Sequence, residues 1–125
     1  MSADTFNKGL EIRRKVLGDA HVERSMSGAT PFTEDFQALV TEYCWGAVWG
    51  RDGLPAKTRS MLNIAMLTAL NKEEELKLHL AGALRNGVSA DEIKEILLQT
   101  AIYAGVPAAN SAFRIAKEII AAHEG

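Results

Sequence analysis

With 125 residues the chain is long enough for one hydrophobic core and reads as a single domain over 1–125, yet short enough that subunit association often completes burial. A hydrophobic share of 47%, a charged share of 24% and three prolines exclude a disordered chain, and a net charge of −2 with interspersed signs excludes a nucleic-acid binder. The single cysteine, Cys44, cannot form an internal disulfide, and no signal core or membrane-spanning apolar run is present, so the expected setting is the cytoplasm with no membrane partner.

Asp4 or Thr5 can cap a first helix whose Phe6, Leu10, Arg13 and Leu17 share a face, with Gly18 suited to its left-handed end. The cluster Arg13-Arg14-Lys15 falls where cations offset the helix dipole and reads as a solvated helix end. Residues 19–31 contain Ser, Gly and Pro without a clear period and read as a loop carrying His21. A loop of that length in a compact domain can wrap a site.

Thr33 is placed to cap a strong helix, with Glu34 and Asp35 in its first turn and Phe36, Leu39, Val40, Tyr43 and Ala47 on a core-facing side. Near its end Trp45 and Trp49 lie one turn apart, flanked by glycines and followed by Arg51. Such rings are most often core or interface. The other reading is an aromatic wall with a cation at its rim.

After a turn at Asp52–Pro55, the stretch from Arg59 to Leu70 is apolar in every angular direction, which predicts a central helix buried on all sides. Asn71 can end it. A second helix follows with Leu76, Leu80, Ala83 and Leu84 as its packed stripe, and His79 lies at the edge of that stripe. A helical side chain leans toward the preceding turn, so residues 82 and 83 cover the His79 ring; these are Gly82 and Ala83, which leave room for a hollow. Glu75, one turn earlier, can bias the protonation of His79. The plainer reading is that His79 caps the core edge.

That helix ends at Gly87, and Ser89 to Glu92 forms a capping box with Val88 and Ile93 as the hydrophobic staple. Ile93, Ile96, Leu97, Thr100, Ala101 and Ala104 continue at helical spacing to Gly105, and Pro107 starts a last helix with Ala109, Ala112, Phe113, Ala116 and Ile120. No segment alternates as a strand does. The expectation is an all-α compact bundle of about six helices, and the apolar faces of the hairpin exceed what one small layer covers, which predicts a homo-oligomer.

No zinc-type Cys/His spacing, phosphate loop or serine elbow occurs, so neither a cofactor nor a metal is expected. What remains is a histidine, arginines near helix ends (Arg51, Arg59, Arg85) and two indoles, a set suited to acid/base work on a small anion. The ordered segments Arg13-Arg14-Lys15-Val-Leu-Gly-Asp-Ala-His21-Val, Tyr43-Cys-Trp45-Gly-Ala-Val-Trp49, Leu54-Pro-Ala-Lys-Thr-Arg59-Ser, Glu75-Leu-Lys-Leu-His79 and Ile102-Tyr-Ala-Gly-Val-Pro-Ala-Ala-Asn110 resemble the carboxymuconolactone decarboxylase family, which shares an all-helical fold with alkylhydroperoxidase-D-like proteins.

The resemblance implies a ring-like trimer or hexamer and cofactor-independent decarboxylation of 4-carboxymuconolactone to β-ketoadipate enol-lactone in protocatechuate catabolism. It implies His79 as the proton-transfer residue with Glu75 beside it, and His21 in reserve. Arg51 and Arg59, then Arg14, would hold substrate carboxylates, and Trp45 and Trp49 would supply a dry wall. The alkylhydroperoxidase branch carries Cys-x-x-Cys three residues ahead of its histidine; here Lys72 and Glu75 take those positions, so thiol-based peroxide reduction lacks its nucleophile. Isomerisation or hydrolysis of a related anionic lactone, or a non-catalytic helical oligomer, are the alternative readings.

Overall fold

The computed structural model describes residues 3–124. Among the described residues there are seven α-helices and one π-helical segment and no strand, so the all-α expectation holds. Residue contacts fall into two compact units that divide between Leu54 and Pro55.

The first unit contains α1 (Ala3–Leu17), α2 (Asp19–Ser27) and α3 (Glu34–Leu39), and α3 runs on into a π-helical segment, Val40–Val48. Gly18, at φ 90°, breaks α1 from α2. The stretch read as a loop is therefore largely helical. Its nine residues bury only Val22 fully, too few apolar positions to show a period, and Arg14 on α1 steadies it through Asp19 and Glu23.

The π segment is marked by the Trp49 N–H donating to the Cys44 carbonyl five residues back (2.9 Å). It packs on α1 through backbone-close contacts: a Cβ on Gly9 would overlap the Thr41 carbonyl, and one on Gly46 would overlap that of Thr5. Arg13 is also drawn into this contact. Only 5% exposed, it donates to Thr41 Oγ1 and Gln37 Oε1 (both 3.1 Å), so the solvated-helix-end reading fails for this arginine.

Two expectations for α3 change as well. The Thr33 side chain accepts the Thr30 N–H (2.9 Å) and makes no cap bond to its helix. Phe36, Leu39 and Tyr43 are exposed; the side that packs is Gln37, Thr41 and Trp45, because the Arg13 bonds and the glycine contacts require that face toward α1.

The second unit contains α4 (Ala56–Ala69), α5 (Glu73–Arg85), α6 (Ala90–Ala104) and α7 (Val106–Glu124). Its core joins Ile64, Leu76, Leu80, Ile93, Leu97 and Ile115. Asn71 takes φ 58° where the central helix was expected to end. The capping box forms as read: Ser89 Oγ accepts the Glu92 N–H (3.0 Å), Glu92 Oε1 accepts the Ser89 N–H (2.9 Å), and Val88 and Ile93 are buried. On α7, Ile115 enters the core while Phe113 is exposed.

Burial of α4 on all sides is not met within the chain. Ser60, Ile64 and Thr68 face the core, whereas Leu62, Met66 and Leu70 are exposed. The outward face of α4 and the neighbouring face of α6 form an apolar groove of about 540 Å³, lined by residues including Met61, Leu62, Met66, Ile96 and Tyr103. No charged side chain lines it.

Candidate active site

His79 lies on α5 between the buried Leu76 and Leu80 stripe and the surface, itself half-buried. The facing helix supplies a partner that sequence reading did not single out: Asn63 Nδ2 stands 3.3 Å from His79 Nδ1. A second cross-helix bond, Asn86 Nδ2 to Ser60 Oγ (2.9 Å), pairs the residue just past the end of α5 with an earlier one of α4. The two helices are thus antiparallel in fixed register.

Arg59 sits four residues before Asn63, so the two are neighbours on one face of α4. Its guanidinium has no ion pair or side-chain hydrogen bond among the described residues, and its buried Nε lacks a partner. A half-buried cation with no counter-charge is costly unless an anion arrives. Glu75 is exposed one turn before His79, and Gly82 and Ala83 are buried one turn after it.

The other expected site residues belong to the first unit. Arg14 is held by Glu23 and Asp19, and these bonds, Glu23 foremost, keep its pKa above the ordinary arginine value. His21 is half-buried on α2 with Ser25 Oγ 3.4 Å from its Nε2. Trp45 is buried and Trp49 half-buried, their ring centroids 4.7 Å apart and tilted by 36°, within the range of favourable aromatic pairs. Arg51 is exposed and forms no ion pair among the described residues. Burial pushes the Cys44 thiol pKa up, with nearby Arg13 opposing, so it is not an activated nucleophile. Among the described residues no cluster of His, Cys, Asp and Glu could hold a metal ion.

Asn63 did leave a signal in the sequence. It is the single amide in the run Met61-Leu-Asn-Ile-Ala-Met-Leu67, and a half-buried polar group in an apolar run needs a partner. Arg13 left none, since its neighbours Arg14 and Lys15 look alike in charge.

A histidine and an arginine whose Nε is buried without a partner thus lie on adjoining antiparallel helices of an all-α fold. The model of the Carboxymuconolactone decarboxylase family matches residues 34–118. The chain is 46% identical to 4-carboxymuconolactone decarboxylase of Acinetobacter baylyi, over 91% of this chain and 85% of that protein. It is 41% identical to nitrosuccinic acid decarboxylase npaB of Metarhizium robertsii, over 92% and 80% of the two chains. A 41-residue match at 39% identity, covering 33% of this chain and 85% of the relative, is to 4-carboxymuconolactone decarboxylase of Pseudomonas putida. The chain belongs to the carboxymuconolactone decarboxylase family.

Proposed function

We propose that the protein is a carboxy-lyase that converts 4-carboxymuconolactone to β-ketoadipate enol-lactone and carbon dioxide without a cofactor, in protocatechuate catabolism in the cytoplasm. The observation that carries this reading is Arg59, a half-buried cation with an orphaned Nε, one turn from the Asn63 that touches His79. As carbon dioxide leaves, its bonding electrons pass through the ring alkene into the lactone carbonyl, giving a dienolate. Arg59 holds a substrate carboxylate through charge-assisted hydrogen bonds. His79 then delivers a proton to the carbon alpha to the carbonyl, with Glu75 favouring the charged ring.

The names of two relatives support the class of reaction. Carboxymuconolactone and nitrosuccinic acid are both polycarboxylates with a built-in electron sink, a conjugated lactone in one and a nitro group in the other. Each can lose carbon dioxide to a stabilised carbanion that needs only a proton, so no external sink is required. In the first unit, Arg51, with Arg14 and His21 in reserve, and the Trp45–Trp49 pair stand as the proposed substrate-binding residues.

We further propose a homo-oligomer, a trimer or hexamer, whose interface covers the apolar groove of α4 and α6. That groove carries no cation, which suits an apolar protein surface rather than a carboxylate. The decisive experiment gives metal-stripped protein 4-carboxymuconolactone and follows carbon dioxide release together with loss of substrate absorbance. Both signals should appear, and His79→Ala should cut turnover by about a hundredfold or more with its melting temperature preserved. Substrate loss without carbon dioxide would point to lactone isomerisation or hydrolysis, and full turnover by the variant would remove His79 from the reaction.

A further inference from the structure

We infer that Asn63 is a positioning residue for His79: its amide occupies Nδ1 and places the proton of the resting neutral ring on Nε2. The inference rests on the acid/base reading of His79 given above. Asn63 Nδ2 lies 3.3 Å from Nδ1, and an amide nitrogen only donates, so with the amide in this orientation Nδ1 accepts. In a neutral imidazole the other nitrogen then carries the proton.

The surroundings favour this assignment. Asn63 is half-buried on α4 between Leu62 and Ile64, and α5 is registered against it by the separate Asn86–Ser60 bond (2.9 Å). The contact therefore joins two fixed helices rather than two free side chains. An amide is also the side chain that serves both charge states. Its Nδ2 donates to the neutral ring, and rotation about the last side-chain bond brings Oδ1 to accept from Nδ1–H when the ring is an imidazolium. When the imidazolium gives a ring proton to the substrate carbon, the ring returns to neutral, carbon dioxide has left, and solvent restores the proton. A carboxylate at this position could serve only the protonated nitrogen, and an aliphatic side chain neither.

The test needs two variants and two readouts. Histidine labelled at its ring nitrogens reports which nitrogen bears hydrogen, and His79→Gln identifies the His79 signals among the three histidines. The unmodified protein should show Nε2 protonated in the neutral ring, and Asn63→Asp should move that proton to Nδ1. Asn63→Leu, checked as folded by its urea midpoint, should lower kcat about ten- to a hundredfold through misplacement of the ring while KM changes little. A neutral His79 with Nδ1 protonated in the unmodified protein, an unchanged tautomer in Asn63→Asp, or full kcat in folded Asn63→Leu would each overturn the inference. The spectra use no substrate, so failure of the decarboxylase reading and failure of this one register separately.

Discussion

Replacing Arg59 by Met separates a substrate-binding cation from a structural one, because the two roles predict opposite changes in stability. A structural arginine leaves a stranded partner when removed. Arg59 has no side-chain partner to strand among the described residues, and its Nε is already buried and unsatisfied, a state that costs about 1–3 kcal/mol. Methionine keeps most of the aliphatic stem and its packing, so Arg59→Met should fold with equal stability or gain up to about 1 kcal/mol. Function should move the other way. A charge-assisted bond to a carboxylate contributes about 1.5–3 kcal/mol, and at about 1.4 kcal/mol per decade its loss lowers kcat/KM by about ten- to a hundredfold. Arg59→Lys should recover part of this, since the point charge remains but the planar fork does not. Carbon dioxide release at varied substrate gives the kinetic constants, and urea unfolding gives the stability. A variant that is destabilised by more than about 1 kcal/mol yet turns over normally would refute the assignment and make Arg59 a structural residue.

Ser89→Ala should destabilise the second unit by about 1 kcal/mol through loss of the N-cap bond, measured by the urea midpoint. The pH dependence lies with Glu92, whose pKa is lowered first by the Ser89 backbone N–H and then by Lys57. A depressed folded pKa means that this stabilisation is complete above the ordinary glutamate value and is lost as pH falls through the depressed one. The stability gap between the unmodified chain and Glu92→Gln should accordingly shrink on acidification, and a gap independent of pH would contradict the capping account. Sedimentation at micromolar concentration should show a trimer or hexamer that Met66→Glu, in the apolar groove, shifts toward monomer; a well-folded monomer of the unmodified chain would end the oligomer proposal.

The parts of the fold that were legible in sequence are those fixed by neighbours in the chain. The Ser89–Glu92 box, the ending at Asn71 and the Leu76–Leu80–Ala83 stripe each depend on residues within two turns, and each is found where the residues place it. What stayed hidden depends on contacts distant in sequence. Helix α2 is held by one buried valine and by Arg14 from another helix. Helix α3 and the π segment offer Phe36 and Tyr43 as their apolar side, but the bonds of Arg13, 24 and 28 residues away from Gln37 and Thr41, turn that side outward. The candidate site divides the same way: His79 was a candidate from its own helix, whereas its contact with Asn63 required knowing which face of α4 meets α5.

The inversion of α4 ties these observations to function. Its core-facing set, Ser60, Ile64 and Thr68, contains two hydroxyls, each already bonded, Thr68 donating to the Ile64 carbonyl (2.7 Å) and Ser60 accepting from Asn86 (2.9 Å). Its outward set, Leu62, Met66 and Leu70, is wholly apolar. Hydrophobicity alone would rotate the helix by nearly half a turn, to bury the leucines and expose the hydroxyls. That rotation would carry Asn63 away from His79. The small, self-satisfied residues inside let α5 lie close enough for the Asn63–His79 contact, and the apolar residues outside need a covering that the chain does not itself supply. In the proposed oligomer a second copy of the chain on that face would therefore stabilise the same helix orientation that brings Asn63 to His79, so association and the proposed catalysis would both depend on one arrangement of α4.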